Sequence, residues 1–426
     1  MYNGTYRSVH IKNVEVNELR SQFQDRPLVV SVDVAKQKMK AGLGQQDGTI
    51  HQVVNWEHPF ETREFVEVVN SLDASQIQLV LEPTGTYQDP LRYLAYEEGW
   101  DVEFQSPNRV HGASEVYDGV DSQHDAKACH IINGLHGDGM SDPWEAESHA
   151  RRKLKVLTDR MANLEGDFQR HEGRLEAKMA KHWPEIGSGW NVVSATMLGL
   201  LKDHGGPREV AEVPGEAASR MKEIGGHFLK EDRIRQVIEW AQQTVGQPML
   251  DEERQMLSDL AADADRIRRQ QNELETQIER LIDDEPAFED VCRLAEEGGE
   301  STAAIFRVKI GDFRSYSTTK QLLKAFGLNM KEKSSGEHQG TIRITKRGPS
   351  EARRYLYLAT LRKIRTDEVF RAKHAQKVKK DGNEDGTKLK SVVALMRKYI
   401  QGLWHVSRGN RFDVNQLFDV SRLNLN

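Results

Sequence analysis

Four carboxylates in the first third of the chain have the types and spacing that metal-dependent phosphoryl chemistry requires. Asp33 closes a short apolar run, Pro27 to Val34 (PLVVSVDV), and Glu82 closes a second, Ile77 to Leu81 (IQLVL). Strand ends at that edge are where α/β folds place their ligands. Asp121 and Asp125 are four residues apart, so on a helix they share one face. Converging carboxylates suit Mg²⁺, a hard cation that takes oxygen ligands in octahedral geometry. Two such ions about 4 Å apart activate the attacking oxygen and stabilise the leaving one in a phosphoryl displacement. A plainer reading stands beside this one: acids routinely end strands and cap helices, and Asp121 would serve simply as an N-cap. The segment Glu82 to Tyr87 (EPTGTY) adds a Pro-Thr-Gly turn straight after a buried strand, with backbone N–H groups and a hydroxyl suited to phosphate oxygens. It is too short for a P-loop and lacks that motif's lysine.

A second constellation lies near the other end. Ser334, Ser335 and Gly336 stand in a polar stretch, Lys331 to Gly340 (KEKSSGEHQG), with Lys331, Lys333, Arg343, Lys346 and Arg347 close in sequence. A hydroxyl among cations is equipped to attack a DNA phosphate, the cations holding the phosphate and its developing charge. The competing reading is a solvated Ser-Gly loop. Arg353, Arg354, Arg362, Lys363 and Arg365 recur along one helical stretch, and Arg371 to Lys380 (RAKHAQKVKK) adds more. That density suits backbone phosphates rather than base edges. Histidines and cysteines show no zinc-ligand spacing, so no structural metal is expected.

The elements that must position these residues differ between the two regions. The runs Pro27–Val34, Met39–Leu43 and Ile50–Val54, separated by turn-like Gly and Asp residues, predict a β-meander. Helices over about 62–72 and 89–98 alternate with strands at Ile77–Leu81 and Asp101–Phe104, and a further helix opens near Ser122. This order predicts an α/β layer with a mixed sheet. Two long charged helices follow, from Trp144 to His182 and from Asp251 to Asp283. In the second, Leu257, Leu260, Ala264, Ile267, Leu274, Ile278 and Leu281 fit a and d heptad positions, with Gln271 the one polar a residue. The first is interrupted at His171. Such stretches suit antiparallel coiled-coil arms or a dimerisation device, and equally a helical hairpin within one domain. The expected divisions are 1–143, 144–285 with an inserted helical subdomain at about 183–248, and a mainly helical 286–426 with helices near 301–310, 318–326, 350–365 and 388–406.

The whole chain of 426 residues carries 60 Lys+Arg and 66 Asp+Glu, a net charge of −6. That figure hides an asymmetry. Residues 301–426 hold 27 basic and 11 acidic side chains, a net of +16, against −22 for residues 1–300. A basic segment joined to an acidic body is an electrostatic signature of phosphate-backbone binding. Charged residues at 30% and a mean hydropathy of −0.68 suit long solvated helices. No run approaches the roughly 18 apolar residues of a spanning helix, and MYNGTYRSVHIKN lacks the apolar core of a secretory signal. With two cysteines, Cys129 and Cys292, the expected setting is a reducing cytoplasm.

SVDVAK around Asp33, LEPTGTY around Glu82, SPNRV from Ser106 and HDAKA around Asp125 resemble the DEDD-type insertion-sequence transposases. Downstream, STAAIFRVKIGDF from Ser301, KAFGLN from Lys324, SSG, ITKRG and the Arg353-Arg354 helix resemble that family's C-terminal transposase domain. The two blocks cover roughly half the chain. The resemblance implies a RuvC-like domain with a ribonuclease-H-type sheet whose acids bind Mg²⁺ or Mn²⁺, here Asp33, Glu82, Asp121 and Asp125. The family's third acid stands three residues before its fourth; this chain has Ser122 there, and Asp121 is the nearest acid. The resemblance further implies that Ser335 attacks DNA and forms a phosphoserine link, that the protein is a dimer or tetramer, and that a structured bridge RNA guides it to donor and target DNA. It also implies a bacterial or archaeal setting at the nucleoid. Where the family carries a Pro-Gly-Ile-Gly turn, this chain has Glu297-Gly298-Gly299-Glu300. Three other functions fit parts of the pattern: a RuvC-like junction nuclease without a covalent step, an actin-like or sugar-kinase ATPase, and a non-catalytic architectural nucleic-acid protein. The basic C-terminal part and the absence of a second phosphate loop argue against the ATPase.

Overall fold

The computed structural model describes residues 7–83, 85–118, 125–331, 343–380 and 386–422. They fall into two compact units, Met1–Glu147 and Ser148–Asn426.

The first unit runs β1 (Ser8–His10), α1 (Val16–Phe23), β2 (Pro27–Asp33), β3 (Lys38–Gly44), β4 (Ile50–Glu57), α2 (Thr62–Asn70), β5 (Gln76–Leu81), α3 (Asp89–Glu97), β6 (Asp101–Phe104), α4 (Pro107–Asp118), α5 (Asp125–Gly137) and β7 (Asp142–Pro143). One mixed sheet takes the order β1-β4-β3-β2-β5-β6-β7. Strands β2, β3 and β4 form the expected antiparallel meander, while β5 joins β2 and β6 joins β5 in parallel. A strand covered on both faces reads as a continuous apolar run rather than an alternating one, and β2 shows why. Leu28, Val30 and Val32 pack on one face with Phe23, Phe65, Leu91 and Ala95. Val29 packs on the other with Val80, Val110, Ile131 and Ile132. Burying each such side chain contributes about 1.5–3 kcal/mol of transfer free energy. Strands β1 and β7 and helices α1 and α4 had no periodic signal strong enough to expect them. The strands are three and two residues long and take their order from sheet partners.

The second unit is built on α6 (His149–His182) and α11 (Asp251–Asp284), each of 34 residues. Leu154, Leu157 and Met161 of α6 share a core with Leu274, Ile278 and Leu281 of α11. Leu175 and Met179 share another with Leu257, Leu260, Ala261 and Ala264. The two helices therefore run antiparallel, as a hairpin inside one unit. Between the two cores lie His171 and Gln271, the positions where the apolar repeat lapses. Ser148 starts α6 by accepting a hydrogen bond from the Arg151 N–H at 3.2 Å, the usual N-cap solution for an orphan donor. The inserted segment forms α7 (Ala195–His204), α8 (Pro207–Glu212), α9 (Pro214–Gly225) and α10 (Glu231–Gln242), which complete the second core.

The first core is completed by the basic C-terminal part: α12 (Glu289–Gly298), α13 (Glu300–Lys309), α14 (Thr319–Ala325), α15 (Ser350–Thr366), α16 (Glu368–Lys380), α17 (Thr387–Val406) and α18 (Val414–Leu417), with a two-stranded hairpin, β8 (Met330–Lys331) and β9 (Arg343–Ile344), between α14 and α15. Phe306, Phe313 and Phe326 meet there with centroids 5.1–5.9 Å apart. Arg408 lies 3.7 Å over the Trp404 ring and donates to the carbonyls of Phe313, Arg314 and Tyr316, pinning that loop. Among the described residues no helix is long and apolar enough to cross a membrane.

Ile278 is fully buried in the α6–α11 seam, so Ile278→Ala should lower unfolding free energy by about 3 kcal/mol through the cavity it leaves. Urea unfolding measures this. A loss below about 1 kcal/mol would mean the seam closes around the gap and carries little of the stability.

Candidate active site

The acids are positioned by strand register. Val32 of β2 pairs with Leu81 of β5, so Asp33 and Glu82 leave neighbouring parallel strands at the same, carboxyl-terminal edge. Leu81 in turn pairs with Phe104 of β6, and the Gln105 N–H extends that ladder to the Leu81 carbonyl at 2.9 Å. Asp125 is the first residue of α5, the helix that packs across β2 and β3. Gly42 of β3 leaves room beneath it: a Cβ there would lie 2.5 Å from Ile50 Cδ1, 2.8 Å from Ser31 Oγ and, on the helix, 3.3 Å from Cys129 Cβ. Cys129 fills the space, with its Sγ 3.3 Å from the Asp125 carbonyl and 3.4 Å from that of Lys40. Burial pushes this thiol up to about 12, so it serves as packing rather than as a nucleophile.

Three carboxylates thus share one neighbourhood, and their electrostatics record it. Burial, then the charges of Asp125 and Glu82, raise the Asp33 carboxyl to about 6, with Lys40 pulling the other way. Burial also raises Glu82. Lys40 sits opposite Asp33 in the β2–β3 register and its Nζ lies 3.0 Å from Asp125 Oδ2. One lysine against three acids leaves a site short of positive charge. In kind the donors fit a hard divalent cation. In position, no group of three His, Cys, Asp or Glu side chains among the described residues stands ready to enclose one. Asp121 lies outside the described residues.

Of the Pro-Thr-Gly segment after β5, Thr84 lies outside the described residues. Gly85 adopts φ +60°, and Gln88 Nε2 donates to its carbonyl at 2.9 Å before α3 begins. Sequence reasoning passed over Lys40 and Gln105. Lys40 is signalled only by cross-strand pairing with Asp33. Gln105 is fully buried beside Glu82's strand, and neither its side-chain nitrogen nor its oxygen has a hydrogen-bond partner.

In the second unit the cations divide into two groups. Lys331 and Arg343 pair across the β8–β9 hairpin, and Lys346 and Arg347 follow it; all four are exposed, and none has an ion-pair partner among the described residues. Lys346 takes φ +55°, and its N–H donates to the Gly327 carbonyl at 2.9 Å. This close approach requires glycine, because a Cβ at Gly327 (φ +66°) would lie 2.8 Å from Arg347 N. Arg353 and Arg354 are instead engaged inside the unit. Arg353 donates to the carbonyls of Gly348 and Phe326 at 2.6 and 3.3 Å, and Arg354 pairs with Glu165 at 2.7 Å. Lys363 likewise pairs with Glu297 at 2.9 Å, and Arg362 reaches the Gly298 carbonyl at 3.1 Å. The Glu297–Glu300 turn is thereby tied to α15. Lys333, Ser334 and Ser335 lie outside the described residues.

Residues 298–375 match the family described as Transposase IS116/IS110/IS902. The matched stretch runs from the end of α12 through the hairpin and α15 into α16, under a fifth of the chain. No curated protein matches the chain. The family match supports an insertion-sequence transposase, and with it a DNA-cutting and rejoining activity at that coarse level.

Because the folded protein holds the Asp33 carboxyl above its ordinary range, its protonated form is favoured in the fold. Stability from this group is present at low pH and is lost as pH rises from about 4 through about 6. Asp33→Asn, melted in chelator, should therefore show a higher Tm than the parent at pH 8 and a smaller gain at pH 5. A pH-independent difference would mean that the fold does not hold the Asp33 carboxyl above its ordinary range.

Proposed function

We propose that the chain is a DNA recombinase of the insertion-sequence type, in which Ser335 is the nucleophile and Asp33, Glu82, Asp125 and Asp121 hold Mg²⁺ or Mn²⁺. The observation that carries the reading is the family match across a region where exposed cations, without ion-pair partners among the described residues, flank a Ser-Ser-Gly stretch of the sequence. In this reaction the Ser335 hydroxyl oxygen attacks phosphorus and loses its proton to a base. The P–O bond to the leaving strand breaks, and that oxygen takes up a proton. The ester link keeps the phosphodiester energy, so attack by the hydroxyl of another strand rejoins DNA and restores the serine. Lys331, Lys333, Arg343 and Lys346 neutralise that phosphate and stabilise the charge that builds on its oxygens, while Arg347 takes phosphate further along the strand. The engagement of Arg353 and Arg354 in ion pairs and carbonyl contacts gives them a second task, holding α15 against its neighbours. When bound, the divalent cation supplies Lewis-acid activation of a phosphate or water oxygen.

The order β4-β3-β2-β5-β6, an antiparallel meander followed by two parallel strands with acids at the carboxyl edge, supports a RuvC-like, ribonuclease-H-type reading of the first unit. A structured guide RNA and a dimer or tetramer complete the proposal, following the resemblance. A RuvC-like nuclease is the second reading, favoured by the raised Asp33 carboxyl, since like-charged acids held together attract a cation whatever the nucleophile.

A suicide DNA substrate separates the two. The parent should yield a covalent protein–DNA adduct, and Ser335→Ala should abolish it while retaining DNA affinity within about threefold. Hydrolysis without any adduct selects the nuclease. Adducts undiminished in Ser335→Ala remove the serine assignment. RNA co-purifying with the protein should be one defined species; heterogeneous host RNA would remove the guide.

A further inference from the structure

A pocket of about 400 Å³ opens beside the root of the β8–β9 hairpin, lined by Tyr316, Gln321, Lys324, Ala325, Asn329 and Thr345 together with Arg347. Its size is at the small end of ligand-binding pockets, which span roughly 300–1,000 Å³. Two loops build it. The Thr345 N–H and hydroxyl bind the Asn329 backbone and side-chain oxygens at 2.9 and 2.5 Å. Gly348 lies so close to the end of α14 that a Cβ there would collide with the Ala325 carbonyl. These contacts bring Arg347 to the same pocket as Lys324.

The lining has one polarity. None of the described residues that line the pocket is acidic. Lys324 and Arg347 are exposed, and neither has an ion-pair partner among the described residues. The Asn329 Oδ1 is occupied by Thr345, leaving its amide N–H groups to donate elsewhere. The Gln321 Oε1 accepts from the Thr318 N–H at 3.2 Å, with the same result. Tyr316 spends its hydroxyl on the Ile310 carbonyl at 2.7 Å, so its ring acts as an apolar wall. Four of these side chains are left with donors to offer, two of them cationic, and no described lining residue brings a counter-charge. An anion with several acceptor oxygens satisfies that arrangement.

We propose that this pocket is a subsite for a phosphodiester group of DNA, held by Lys324 and Arg347 with its sugar against Tyr316 and Ala325. The inference rests on the recombinase reading and names where the strand beside the reacting phosphate is gripped. A strand rather than a free ion is favoured because Lys331, Arg343 and Lys346 extend the positive charge outward along the hairpin, as a polyanion requires.

The test is duplex DNA affinity of the full chain across a salt series. Each phosphate contact contributes about 0.9 to the slope of log K against log salt. The Lys324→Gln/Arg347→Gln variant should lower affinity and make the slope shallower by about 0.9, and Lys324→Arg/Arg347→Lys should restore both. Parent DNA binding with an unchanged slope in the Gln variant overturns the subsite and leaves the recombinase reading standing. No DNA binding by the parent overturns that reading as well. A melting shift in millimolar inorganic phosphate that the Gln variant loses, with its DNA slope unaltered, overturns the proposal in favour of a free-anion site. A slope change on RNA alone overturns it too.

Discussion

Asp33 is the last residue of a strand that is sealed from water on both faces, and much of the first unit depends on that constraint. Leu28, Val29, Val30 and Val32 are fully buried, so β2 cannot slide or lift its end without exposing the core. Its terminal carboxylate is therefore held where burial and the charges of Asp125 and Glu82 disfavour it. Apolar packing fixes the position, and the position imposes the charge cost. The register of β5 against β2 and the glycine at position 42 then determine which other groups share that neighbourhood.

The second unit solves the opposite problem, how to display positive charge without dispersing it. Its cations are sorted by backbone geometry rather than by number. Those on α15 find carbonyls and carboxylates on neighbouring elements and become part of the packing. Those on the hairpin and the turn after it are carried away from such partners by two-residue strands and by left-handed turn positions. Net charge alone would have treated the two groups alike.

Strong periodicity was legible in advance. Strands β2, β3 and β5 and the helices at 62–70, 89–97, 149–182 and 251–284 follow from apolar runs and repeats, because there the pattern reports burial directly. The mixed sheet followed from their order. What escaped has a common physical origin: its stabilising partner is remote in sequence. Strands β1 and β7 are too short to show a period. Lys40 belongs to the acid site through cross-strand register, and Gln105 is placed beside Leu81 by its backbone hydrogen bond alone. Arg353 and Arg354 looked like free phosphate ligands because Gly348, Phe326 and Glu165 do not announce themselves as partners. The acids at 33, 82 and 125 were legible as strand-end and helix-start positions; their mutual influence on ionisation was not.

The α6–α11 pair also acts as a ruler. At 1.5 Å per residue a 34-residue helix spans about 51 Å, and it has one core near each end. The inserted helices and the hairpin-bearing helices are therefore held at a spacing determined by residue count. Removing seven residues from both helices would shorten that distance by about 10 Å while keeping the apolar seam in phase. Removing three or four would rotate one end against the other. Length and angle in this unit are thus separately adjustable by small insertions and deletions, a mechanical freedom that a globular core of the same size would lack.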